Sequence, residues 1–244
     1  MGRHGTIAGR KASQDSKRAA VFTKFTRAII IAAKNGGDPA YNASLKNAID
    51  KAKAINLPND KITRAIKKGT GELEGESYEV LAFEGYGPSG VAIIVDVLTD
   101  NKNRTTSAVK HTFDKNGGNL GAPGCVSYMF NRKGVILIEK TDAVDEDTVM
   151  ETALEAGMED FIVGDDYFEI RTEPDDFFAV AEALREAGYE LLESDIEYVP
   201  NMETEPKSDA DQRALKKMIA AFEDNDDVQK VYHNCAVDLD GDEE

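Results

Sequence analysis

The 244-residue chain carries 46 Asp and Glu against 29 Lys and Arg, a formal net charge of −17. With 41% hydrophobic and 31% charged residues it is neither fibrous nor disordered. Its longest apolar run, Ala28 to Ala33, is too short to cross a bilayer, and two cysteines make no disulfide framework. The total charge argues against a polyanionic partner, yet it is unevenly spread. Residues 1–70 net +11, residues 71–140 net −2 and residues 141–244 net −26. A basic head on an acidic body confines any phosphate contact to one end of the chain.

Residues 1–71 read as helical. Ser13 or Asp15 can cap a helix running to about Lys34, where Gly36-Gly37 stops it. Val21, Phe22, Phe25, Ile29 and Ala33 recur at three- and four-residue steps as its apolar stripe. Asp38-Pro39 predicts the opening of a second helix that buries Tyr41, Leu45, Ala48, Ile49, Ala52 and Ile55. After the break at Asn56-Leu57-Pro58, Asn59 is expected to cap a third helix that buries Ile62, Ala65 and Ile66 and ends at Gly69.

The period then changes. Tyr78–Glu84 and Val91–Leu98 read as strands joined by the Gly85–Gly90 loop. A helix is expected over about Asn101 to Lys115, then a glycine-rich loop, then a strand over Cys125–Phe130. Val135–Lys140, Asp145–Ala156, Asp160–Val163, Tyr167–Thr172, Pro174–Ala187 and Tyr189–Val199 follow as β-α-β-β-α-β, the ferredoxin-like order. Asp209–Glu223 (helix) and Val228–Asn234 (strand) are too few to stand alone, so they are expected to return and complete the middle segment. The expected class is α+β with three domains. A basic helical domain covers residues 1–75, and a discontinuous α/β domain covers 76–133 plus 204–236. An acidic ferredoxin-like domain, 134–203, is inserted into it, and 237–244 form an acidic tail.

The cations of the head are the candidate binding residues. Lys17, Lys24, Arg27 and Lys34 share about one quadrant of the first helix, beside the apolar stripe, and Arg18 lies nearer that stripe. Lys61, Arg64 and Lys68 align at i, i+3 and i+7 on the third helix. Arg3, Arg10 and Lys11 precede the first helix, in a stretch without acid up to residue 14. Such an arrangement suits phosphate contact and carries no base readout.

Other patterns are weaker. Gly85-Tyr86-Gly87-Pro88-Ser89-Gly90 spells G-x-G-x-x-G, but a strand follows where a dinucleotide fold needs a helix. The loop reads as an exposed connection with Tyr86 at its tip, a possible RNA contact. Lys102 and Arg104 sit at the positive end of the following helix, a placement that suits a bound anion; alternatively Asp100 caps the helix and they are solvated. Cys125, Cys235, His111 and His233 have no metal-ligand spacing, and Asp238, Asp240 and Asp242 only begin a calcium-loop pattern. No catalytic constellation, cofactor motif or metal motif emerges, so no enzyme activity and no cofactor are expected. Met1-Gly2 through Thr6 fits the letters of a myristoylation signal, a short pattern that often matches by chance. Without a secretory h-region, a cytoplasmic place and no membrane partner are expected.

Ordered blocks along the chain resemble the YebC/PmpR family. They include Gly9-Arg10-Lys11-Ala12, Lys17-Arg18, Phe22-Thr23-Lys24, Ala32–Gly37, Asn42–Ala48, Ile62–Lys68, Glu84–Pro88, Thr99–Thr105, Gly117–Leu120 and Gly124–Phe130. The resemblance implies a helical N-terminal domain with two α/β domains, and a DNA-binding transcriptional regulator. Its alternative is a ribosome-associated translation factor that binds rRNA or tRNA, with the acidic domains meeting basic ribosomal proteins. A metal-dependent nuclease is a distant third. The family's usual Gly-His-Ser-Lys-Trp opening is replaced here by Gly2-Arg3-His4-Gly5-Thr6, and the chain has no tryptophan. The oligomeric state is not legible.

Overall fold

The computed structural model describes residues 18–73 and 78–239. The described residues fall into two compact units, one reaching to Ser127 and joined by Thr204–Leu239, the other formed by Tyr128–Glu203.

In the first unit, helices α1 (Arg18–Ala33), α2 (Ala43–Ala54) and α3 (Asn59–Gly69) pack around Ile29, Ile30, Ala33, Leu45, Ile49, Ala52, Leu57, Ile62 and Ala65. Gly69 is required by the α1–α3 approach, because a Cβ there would lie 2.6 Å from that of Ala33. Leu98, from the sheet that follows, and Tyr78, immediately before its first strand, close the same core, so the helices are packed onto their neighbour.

That neighbour is a four-stranded antiparallel sheet of order β3-β1-β2-β8. It is built from β1 (Glu79–Tyr86), β2 (Ala92–Thr99), β3 (Asn119–Leu120) and β8 (Val228–His233). Helices α4 (Lys102–Lys115) and α7 (Asp209–Glu223) cover one face. Val91, Ile93, Val95 and Val97 meet Val109 and Phe113 of α4 and Leu215, Met218 and Phe222 of α7. The Phe113 and Phe222 rings meet edge to face at 4.9 Å. The element after β3 is therefore supplied from the far end of the chain.

The second unit contains β4 (Phe130–Glu139), α5 (Glu146–Glu155), β5 (Asp160–Val163), β6 (Tyr167–Thr172), α6 (Phe177–Glu186) and β7 (Leu191–Pro200). Its sheet order, β5-β6-β4-β7, is that of the ferredoxin-like fold. Ile136, Ile138, Phe168 and Ile170 face Val149, Ala153, Val180 and Leu184 of the helices. The α+β class and the ferredoxin-like insertion into the middle α/β domain hold. Among the described residues no helix is long and apolar enough to cross a membrane.

Several local expectations differ. The second helix begins at Ala43 rather than Asp38-Pro39, because Asn42 caps it by accepting from the Leu45 amide (3.0 Å). The Asn42 amide donates to the Ala32 and Gly36 carbonyls (both 2.8 Å), while Asp38 closes its own turn onto Ala40. Tyr41 therefore stays outside the core, 92% exposed. Asn59 is the first residue of α3 and follows Pro58. Cys125–Phe130 is not a strand: a 3-10 turn occupies Ser127–Met129, the edge strand is Asn119–Leu120, and Phe130 opens β4. The Ser13 or Asp15 cap and residues 240–244 of the tail lie outside the described residues.

Candidate nucleic-acid interface

The flank of α1 turns inward. Lys24 Nζ donates to the Glu223 carbonyl (3.0 Å), and Lys34 Nζ to that of Tyr78 (2.7 Å). Arg27 Nη1 reaches Asp227 Oδ1 (2.9 Å) and the Asp226 carbonyl, with its guanidinium 5.4 Å from the centre of the Tyr78 ring. Glu223, Asp226 and Asp227 lie at the C-terminal end of α7 and the turn beyond it, where the helix dipole is negative. The side chains of Arg27 and Asp227 are only 14% and 7% exposed. The cationic flank thus fastens the helices to the sandwich.

Asp227 is the hub of that junction. Arg104 Nη2 donates to its Oδ2 (2.8 Å) as well as to Asp100 (2.8 Å), and Thr105 Oγ1 lies 2.7 Å from the same oxygen. Burial alone would raise the Asp227 carboxyl. Hydrogen bonds from Arg104 and Thr105, with the charges of Arg104 and Arg27, outweigh it and hold the group below its ordinary value. The Arg104 guanidinium is held above its own, first by the bond to Asp227 and then by that to Asp100. Asn101, not Asp100, caps α4, accepting from the Arg104 amide (3.1 Å). Arg104 is thus engaged within the chain, whereas Lys102 is exposed.

The Gly85–Gly90 loop is also committed internally. Gly85, Gly87 and Pro88 are buried, and a Cβ on Gly87 would lie 2.7 Å from Leu215 of α7. Ser89, with φ of 62°, donates to Asp211 (3.0 Å) and accepts from the Lys207 amide (2.8 Å). Tyr86 is half-buried and its hydroxyl donates to the Cys125 carbonyl (2.9 Å), so it pins the next loop rather than standing at an exposed tip. Glu84 fixes that loop too, accepting from the amides of Gly124, Val126 and Ser127 (2.8 to 2.9 Å). Burial raises the Glu84 carboxyl, but these bonds together lower it further. The Cys125 thiol is pushed up by burial and by the charge of Glu84, against thiolate chemistry. Among the described residues no group of His, Cys, Asp and Glu could hold a metal.

What remains outward is α3. Lys61, Arg64 and Lys67 are exposed and Lys68 half-exposed, with Lys61 Nζ 5.5 Å from the centre of the Phe22 ring. Lys46 and Lys53 of α2 are exposed as well. Arg3, Arg10, Lys11 and Lys17 lie outside the described residues, as does the side chain of Arg18. Sequence spacing singled out Lys61, Arg64 and Lys68. It missed Asp227 and Glu84, whose partners are remote: Arg27 stands 200 positions from Asp227.

Two family models cover nearly all of this architecture. Residues 3–72 match the TACO1/YebC protein N-terminal domain, and residues 78–235 match the TACO1/YebC second and third domain. The chain belongs to the TACO1/YebC family. A probable transcriptional regulatory protein of Clostridioides difficile is 53% identical over 98% of this chain and 100% of its own length. One from Persephonella marina is 53% identical over 93% of this chain and 92% of its own. The crystal structure of a conserved hypothetical protein from Aquifex aeolicus, 43% identical, superposes with a TM-score of 0.83 over 91% of each chain. Membership of a family whose relatives carry regulatory names is thus established.

Proposed function

We propose that the protein is a non-enzymatic nucleic-acid-binding regulator, acting on DNA as a transcriptional regulator through its helical N-terminal region. The outward cationic face of α3 carries this reading: Lys61, Arg64, Lys67 and Lys68 stand on one short rigid helix, while Lys24 and Arg27 of α1 are engaged within the chain. Phosphate oxygens are the natural partners of such a face, since a rigid row of cations displaces condensed counterions. The basic segment ahead of α1, with Arg3, Arg10 and Lys11, extends the same charge. The regulatory names of the relatives support a nucleic-acid target. The acidic body repels the rest of a polyanion, so the contact stays at one end.

Fluorescence anisotropy with labelled duplex DNA tests the reading. Lys61→Glu with Arg64→Glu should weaken binding without lowering the melting temperature. Undiminished binding by that variant would remove α3 from the interface. Ribosomal RNA fragments in the same assay test the translational alternative, which preferential binding to them would favour.

A further inference from the structure

One end of the helical bundle combines an aromatic ring with cations in a way that the phosphate reading does not use. Tyr41 is 92% exposed, a large aromatic surface left in water on the turn Pro39-Ala40-Tyr41. Its backbone is held on both sides. The Tyr41 amide donates to the Asp38 carbonyl (3.1 Å), and the next residue, Asn42, makes the three bonds that tie the turn to α1 and α2. The ring is thus presented from a fixed platform.

The same turn abuts the last turn of α3. A Cβ on Gly37 would lie 2.6 Å from the Thr70 methyl and 3.5 Å from that of Ile66. Lys67 and Lys68 belong to that last turn. The carboxylates nearby serve their own turns: Asp38 accepts from the Ala40 amide (2.9 Å), and Glu72 from Thr70 Oγ1 (3.1 Å). The first turn of α2, directly after Tyr41, contains no acid.

We infer that Tyr41 is a stacking platform for an unpaired base, with Lys67 and Lys68 receiving the flanking phosphates. A ring presented on a turn offers its face to a base only if that base is out of a helical stack. The substrate class is therefore nucleic acid with at least one unpaired nucleotide, either single-stranded or locally opened, rather than uniform duplex. The inference rests on the nucleic-acid reading above and specifies which form of nucleic acid that surface takes.

The chain contains no tryptophan, so Tyr41→Trp places a single indole emitter at the proposed contact. Its emission is followed while single-stranded DNA, single-stranded RNA and a duplex of the same sequence are added to the full chain, with anisotropy of labelled oligonucleotides in parallel. Stacking predicts strong quenching by a single strand and little by the duplex; whichever single strand quenches at lower concentration identifies the sugar preferred. Tyr41→Ala should weaken single-strand binding roughly tenfold and leave duplex binding unchanged, and Tyr41→Phe should restore it. Single-strand binding without quenching, and undiminished by Tyr41→Ala, overturns the inference. If Lys61→Glu with Arg64→Glu then still abolishes binding, the reading on which it rests survives. If the unaltered chain binds no nucleic acid, both fall.

Discussion

Asp227 shows how far one carboxylate can determine the use of the cations around it. Sequence spacing places Arg27 among phosphate-binding residues, and the structure gives its guanidinium to a buried acid. Removing the carboxylate leaves the Arg27 charge, largely buried, without its ionic partner. Asp227→Ala should therefore cost about 3 kcal/mol in a denaturant melt, and Arg27→Ala less, because Arg104 still pairs with Asp227. The pH dependence follows from the direction of the shift. An acid held below its ordinary value contributes stability that is present above the unfolded-state pKa and is lost as pH falls through the folded one. The melting temperature should be level above about pH 5 and decline through and below the normal carboxylate range near ~4. Asp227→Asn should start lower and decline less steeply. Glu84 adds a local version: Glu84→Gln should speed amide exchange at Gly124, Val126 and Ser127, read residue by residue by NMR.

At the scale of elements, the helices that sequence finds most surely are those with both a periodic apolar face and a local cap. Asp209–Glu223 is read to the residue because Ser208 caps it onto the Asp211 amide and its buried side chains repeat at helical spacing. The second helix is misplaced by four residues because two cap patterns compete. Asp38-Pro39 closes a turn, and Asn42, tied to two carbonyls as well as to Leu45, wins the helix. Asn42→Ala should cost at least about 1 kcal/mol, measured by thermal melting, since it removes the cap and both tethers. The Cys125–Phe130 segment reads as a strand from its β-forming side chains, yet Glu84 gathers its amides into a loop, and no local pattern reports a carboxylate 40 positions upstream. The candidate site was legible only in part for the same reason. A cationic flank on a wheel looks alike whether it faces solvent, as on α3, or the end of another helix, as on α1.

At the scale of the whole molecule, the charge gradient and the insertion are linked. Residues 134–203 hold 22 acidic against 3 basic side chains, so most of the negative charge lies in the ferredoxin-like unit. That unit begins and ends on paired strands, with Phe130 opposite Pro200, so its two chain ends are neighbours. Replacing Tyr128–Glu203 by a short Gly-Ser linker should leave the remaining unit folded, as judged by circular dichroism and a cooperative melt. Because the charge removed is repulsive, nucleic-acid binding should tighten rather than weaken. The insertion itself was legible because β-α-β-β-α-β is complete in one stretch, while the middle segment lacked one helix and one strand that only the C-terminal segment could supply.

The central claim is that an outward cationic face at one end of this acidic protein holds nucleic acid by its phosphates. The most direct measurement is the binding constant as a function of salt for the unaltered chain and for Lys61→Glu with Arg64→Glu. The account predicts a steep linear fall of log K with log salt in the unaltered chain, and a slope shallower by roughly 2 in the variant. A salt-independent constant, or the same slope in both proteins, would contradict it.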